Sequence, residues 1–298
     1  MKYFILFFLV YISCADQGRT LPASTGENSE VIFVANDVLW ESCLDTLVKS
    51  TFGAPIQGVN QKESLFRVFQ VNHKEFKSIL KTNTNIIIVI ESPSPSVSTK
   101  DKWASGQFVA QLKWDKNSED FFEDLIVLRD LFLLKELKSI RKELKKSSII
   151  DAEKRLLNNF GVKCIIPKEY QIIKNDSSLF WANYNPLNSD EIKNLLTFSF
   201  VPKTQNLTSE IFQRTDSVFA KYLRGEKPGS YVQIEKEYPP YYHNNIYRGL
   251  WRLENGFMGG PFIIKTYLQK NKVVVNIGLV FAPQNQKRKY IKEFEAIL

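Results

Sequence analysis

Between residues 230 and 281 four strand-like segments follow one another with only turns between them, at 230–237, 247–254, 261–268 and 272–281. None of these connections is long enough for a helical crossover, so neighbouring strands can pair only antiparallel. Further strand patterns occur near 163–173, 179–184 and 193–201, with helical patterns at 151–160, 209–223 and 286–298. Residues 148–298 therefore read as an antiparallel sheet packed against helices.

The first half follows another grammar. EVIFVA at 30–35 reads as a strand, and Asp37 as the cap of a helix carrying Leu39, Trp40, Cys43, Leu44, Leu47 and Val48 at helical spacing. Gly53 and Pro55 stop it. A strand at 65–71, a helix at 73–81 with Phe76, Ile79 and Leu80 on one face, and the apolar strand NIIIVI at 85–90 come next. The Pro- and Ser-rich stretch 92–102 predicts an exposed loop. A strand at 103–114 and a helix from Ser118 to Lys146, acidic first and basic last, complete a βαβαββα order. The fold class is α+β, with two α/β domains at 30–147 and 148–298, as a length of 298 residues suggests.

The start of the chain indicates export. Lys2 precedes an apolar run from Tyr3 to Ile12, about half the roughly 20 residues a spanning helix needs. The run ends in Ile12-Ser13-Cys14, which resembles the lipobox of bacterial lipoproteins, with Tyr11 standing where Leu is usual. Residues 1–13 are then a signal peptide, Cys14 the lipidated residue, and 14–29 a polar tether. At about 0.8 kcal/mol per buried methylene, the acyl chains of such a residue hold a protein on a membrane permanently. The expected location is the cell envelope, on either membrane.

Several chemistries find no support. His73 and His243 lie in different domains without paired-ligand spacing, and the cysteines form no zinc pattern, so no metal and no cofactor are expected. Cys43 and Cys164 read as two buried free thiols. The stretch from Gly256 to Gly260 fits no phosphate-loop spacing, and no GxSxG elbow occurs. The SxxK matches at Ser78 and Ser139 lack partner motifs. A net charge of +8 is concentrated in part at 141–146 and 287–292, read as solvated helix ends; export argues against nucleic acid as a partner.

The stretch 231–262, YVQIEKEYPPYYHNNIYRGLWRLENGFMGGPF, is the most distinctive. Tyr241, Tyr242, Tyr247, Trp251, Phe257 and Met258 offer amphipathic area suited to a binding surface, and Gly259 and Gly260 would let a partner approach the backbone. Aromatics filling one sheet face is the competing explanation. The chain is expected to be a non-catalytic binding or assembly component with an envelope protein partner. The alternatives are a hydrolase using Glu235, Glu237 and Glu254, with the first two on one strand face, and a purely structural lipoprotein.

The run Trp251-Arg252-Leu253-Glu254-Asn255-Gly256-Phe257-Met258-Gly259-Gly260-Pro261-Phe262 resembles the signature of the domain-of-unknown-function 4837 family of Bacteroidota lipoproteins. LPASTG at 21–26, NIIIVI at 85–90, Trp103-Ala104-Ser105 to Gln107, Ile166-Pro167-Lys168, EKEYPP at 235–240 and Phe281-Ala282-Pro283 are similar to that family as well. The resemblance implies exported lipoproteins and brings no reaction or catalytic residues with it. If the host is of that phylum, Asp45-Thr46-Leu47 and Asp216-Ser217-Val218 resemble its O-glycosylation pattern, though both fall in predicted helices. The element order of the second half loosely resembles PsbP-like modules.

Overall fold

The computed structural model describes residues 20–91 and 96–298. The signal segment and Cys14 lie outside the described residues. No helix among the described residues is long and apolar enough to cross a membrane.

The first domain runs β1 (Glu30–Val34), α1 (Asp37–Leu39), a π-helical turn (Trp40–Leu44), α2 (Asp45–Thr51), β2 (Arg67–Val71), a 3-10 turn (Ser78–Thr82), β3 (Asn85–Ile90), β4 (Val97–Lys100), β5 (Phe108–Lys113) and α3 (Ser118–Lys146). Its sheet has the order β2-β1-β3-β5-β4, parallel except for the antiparallel edge strand β4. Parallel strands are covered on both faces, which is why Ile86 to Ile90 form an unbroken apolar run. Ile87 and Val89 face a core built with Phe52 of the α2 C-cap and Phe132 of α3. Ile86 faces the other side, beneath Phe76 and Trp103.

Several expectations need correction here. The caps of α1 and α3 are Asn36 and Asn117, whose side-chain oxygens accept backbone N–H groups of the first turn; Asp37 and Ser118 are the first helical residues. Residues 73–81 do not form a full helix. Phe76 is buried but Ile79 is 73% exposed, so no apolar face exists to hold more than the short 3-10 turn. The stretch read as a loop contains β4, whose residues are all exposed and pair with β5. Residues 22–29 are not a free tether. Ser24 N–H donates to Ser105 O (2.9 Å), Thr25 N–H donates to Thr82 O (2.8 Å), and Ser29 is buried.

The second domain runs α4 (Ile150–Phe160), β6 (Gln171–Asn175), β7 (Phe180–Tyr184), β8 (Ile192–Phe200), α5 (Leu207–Tyr222), β9 (Tyr231–Ile234), β10 (Tyr241–His243), β11 (Ile246–Glu254), β12 (Gly259–Gln269), β13 (Lys272–Phe281) and α6 (Arg288–Ile297). Its antiparallel strands follow the order β10-β11-β12-β13-β8-β7-β6, with β9 on β11. Strand alternation sorts the core. Val273, Val275, Ile277 and Leu279 pack with Ile211 and Phe219 of α5, whereas Val274 and Val280 join the core of α4 and α6. Gly278 has no Cβ because Phe294 of α6 occupies that space, 2.5 Å from where the atom would stand. The two triplets that resemble O-glycosylation sites lie in α2 and α5.

The domains join along α3 and α6. Lys292 of α6 pairs with Glu136 of α3 at 2.6 Å, and both are buried. Ser29 completes the cluster, donating to Glu136 (2.7 Å) while its oxygen accepts from Lys292 (2.6 Å). The Glu63 carboxylate accepts the backbone N–H groups of Lys287 (2.6 Å) and Arg288 (2.8 Å) at the start of α6. Arg141 reaches the other end, donating to Ala296 O (2.7 Å). The basic cluster 287–292 therefore opens a helix rather than ending one, and Lys287 and Lys292 are buried, not solvated. Cys164 is buried beside the amide of Asn276 (2.9 Å) and Cys43 is half-buried, so of these two thiols Cys164 alone is fully in a core.

Candidate functional site

Where α5 ends, the chain turns from Leu223 through Ser230 into β9 and leaves part of the eight-stranded sheet uncovered. A cleft of about 790 Å³ lies there, a volume usual for ligand sites, which span roughly 300–1,000 Å³. Its floor is Trp251 of β11 with Leu279 and Phe281 of β13; Tyr222 of α5 and Trp181 of β7 form one wall. The turn between β11 and β12, with Phe257 and Met258, overhangs the opposite rim.

The aromatic groups differ in freedom. Trp251 is 5% exposed and fixed by its Nε1–H, which donates to Val280 O (3.2 Å). The Trp181 ring stands 6.3 Å from that of Tyr222, and its Nε1–H donates to Asn194 Oδ1 (2.9 Å). Asn183 Nδ2 donates to the same oxygen (3.0 Å). Rings and amides thus alternate along the β7–β8 side of the cleft. Phe257 is 91% exposed. A large apolar ring so placed gains nothing for the fold and offers contact area to a ligand.

The expected binding residues divide into three groups. Trp251, Phe257 and Met258 line the cleft. Tyr241 and Tyr242 are exposed on the edge strand β10, where Tyr242 packs on Tyr247 with ring centroids 4.6 Å apart. Tyr247 itself is buried, and its hydroxyl hydrogen-bonds Thr208 (3.0 Å). The two glycines are accounted for by strand packing. A Cβ on Gly260 would lie 2.1 Å from Val280 O, and one on Gly259 would lie 3.0 Å from Trp251 O. The chain's own neighbouring strands fill those approaches. Trp181, Tyr222, Asn183 and Asn194 were not anticipated. They come from distant elements, and only the strand period of 179–184, which sets Trp181 and Asn183 on one face, hinted at them.

None of the carboxylates of the hydrolase reading lines the cleft. β9 stops at Ile234, so Glu235 and Glu237 share no strand face. Glu235 and Glu254 both turn to the Arg252 guanidinium, at 3.5 Å and 2.8 Å. No group of three or more potential metal ligands occurs among the described residues.

A second cleft, of about 680 Å³, lies at the domain junction and is lined by charge. Lys193 pairs with Glu293 (2.8 Å) and Glu191 (3.5 Å), and the Tyr290 hydroxyl donates to Glu191 (2.5 Å). Burial pushes the Glu293 carboxyl up, with Lys193 opposing. Burial would lower Lys193, but Glu293 and Glu191 hold it above its ordinary range. These charges satisfy one another, so a ligand entering here would have to break buried pairs. The aromatic cleft carries no such cost and is the better candidate.

Two family models match the chain. One, described as Domain of unknown function (DUF8532), covers residues 24–146, and so takes in NIIIVI, the segment from Trp103 to Gln107 and the end of LPASTG, which resembled the other family. The second, Domain of unknown function (DUF4837), covers residues 150–298, half of the chain and the whole of the aromatic cleft. No curated protein matches. The chain belongs to the DUF4837 family.

Proposed function

We propose that this protein is exported, held to a cell-envelope membrane by lipid on Cys14, and serves as a non-catalytic binding component whose site is the aromatic cleft of the second domain. The anchor rests on the sequence alone, an apolar run too short to span a bilayer that ends at a cysteine. Binding rests on one observation, an open cleft between Trp181, Tyr222 and Trp251 with the exposed Phe257 at its rim. Flat rings beside amide groups suit an extended segment of a partner protein, with rings stacking on its apolar side chains and amides pairing with its backbone.

The test is capture from solubilised envelope followed by mass spectrometry. Phe257→Ala and Trp181→Ala should lose the partner while Tyr241→Ala keeps it, because Tyr241 lies outside the cleft. Equal capture by all three variants would refute the site. For the anchor, Cys14→Ser should release the protein into the soluble fraction; retention on the membrane would refute lipidation there.

A further inference from the structure

Helix α3 carries a second face that the fold does not use. Its inward residues Phe121, Leu125, Leu128, Phe132 and Glu136 are buried. On the opposite side Val127, Leu131 and Leu134 are 58%, 46% and 53% exposed. Their spacing of four and three residues continues outward through exposed Asp120 and Asp124 in one direction and, in the other, through exposed Lys138, the half-buried Arg141 that donates to Ala296 O, and exposed Lys145. Alternating steps of four and three form the seam of a two-stranded coiled coil. The seam is acidic at its N-terminal end, apolar in the middle and basic at its C-terminal end.

That order selects its occupant. Two copies packed parallel would set Asp120 and Asp124 against the same aspartates, and lysines against lysines. Packed antiparallel about a two-fold axis, the apolar centres meet and each acidic end lies along the basic end of the other copy. The flanking exposed residues Glu123 and Lys142 carry the same signs. We infer that the α3 seam is a homodimer interface in which two copies pair antiparallel, Leu131 of one facing Leu134 of the other. An acidic or basic partner of another kind would match only one end of the seam. A bilayer would have to accept the aspartates. The dimer places the aromatic clefts on separate copies, so the assembly would present two binding sites.

The test is light scattering and sedimentation velocity of the full chain over a range of concentrations. The chain should behave as a dimer, and Leu131→Glu, at a position the fold leaves exposed, should make it monomeric with an unchanged circular-dichroism spectrum. Orientation is read by neutralising one end. In the antiparallel arrangement D120N/D124N raises the dissociation constant about tenfold. In a parallel pair the same change relieves repulsion and tightens the dimer. A chain with D120K/D124K and one with K138E/K142E/K145E should each be monomeric alone and form a heterodimer when mixed. A monomer at all concentrations, tightening by D120N/D124N, or failure of the mixed pair would each overturn the inference.

Discussion

Lys292 and Glu136 form an ion pair 2.6 Å apart, buried where α6 of the second domain crosses α3 of the first. Burial lowers the Lys292 pKa and the Glu136 carboxylate opposes the shift, so the pair holds a charge the junction would otherwise reject. The two domains, built on different strand grammars, meet along these helices.

Removing one member should therefore cost more than removing both. Glu136→Ala leaves an unpaired buried ammonium and should destabilise by about 3–5 kcal/mol in urea unfolding. Glu136→Leu with Lys292→Met should recover most of that loss. A double variant as unstable as the sum of the singles would show that the pair is not coupled.

Glu63 holds the start of α6 by accepting two backbone N–H groups, in place of a cap from the helix's own sequence. Glu63→Ala should cost about 2 kcal/mol, with the first turn of α6 losing amide protection in hydrogen exchange before the rest of the sheet. Uniform protection across α6 in the variant would contradict this role.

Much of the architecture was legible because it rests on local period. The bounds of α3 and the β11–β12–β13 run follow from amphipathic spacing and turn residues, and both were readable directly. What failed depends on distant partners. Nothing near Lys292 in sequence announces Glu136 or Ser29, so two lysines of a cluster read as solvated, Lys287 and Lys292, are buried. The cleft was half legible. Phe257 and Met258 stood out in the aromatic stretch, whereas Trp181 and Tyr222 join them only through sheet order and the placement of α5. The glycines were read for a partner when the chain's own strands needed the room.

Gly260 should tolerate no side chain. Gly260→Ala forces β12 away from Val280 O and disturbs the Trp251 bond to the same oxygen, a loss of about 2 kcal/mol or more. Gly259→Ala, whose nearest neighbour is at 3.0 Å, should cost less. Thermal unfolding of the two variants decides, and equal melting temperatures would contradict the packing described.

Lys135 gives a pH signature. Burial lowers its pKa to about 8, with Asp101 and Glu136 opposing; its ammonium donates to Thr84 O (3.3 Å) and Asn85 Oδ1 (3.4 Å). The folded value lies below the unfolded one, so the folded protein sheds this proton first. The contribution is fully present above about pH 10.5 and lost as pH falls through about 8. Relative to Lys135→Met, the protein should gain stability across that interval. A constant difference between the two in urea unfolding would contradict it.

The central claim is that a partner occupies the aromatic cleft, and photo-crosslinking in living cells tests it most directly. A photoreactive amino acid replaces Phe257, 91% exposed at the rim, and in a control replaces Val38, 76% exposed on the first domain. The account predicts one dominant adduct from position 257 and none in common with position 38. The same adducts from both positions, or none from 257, would contradict it.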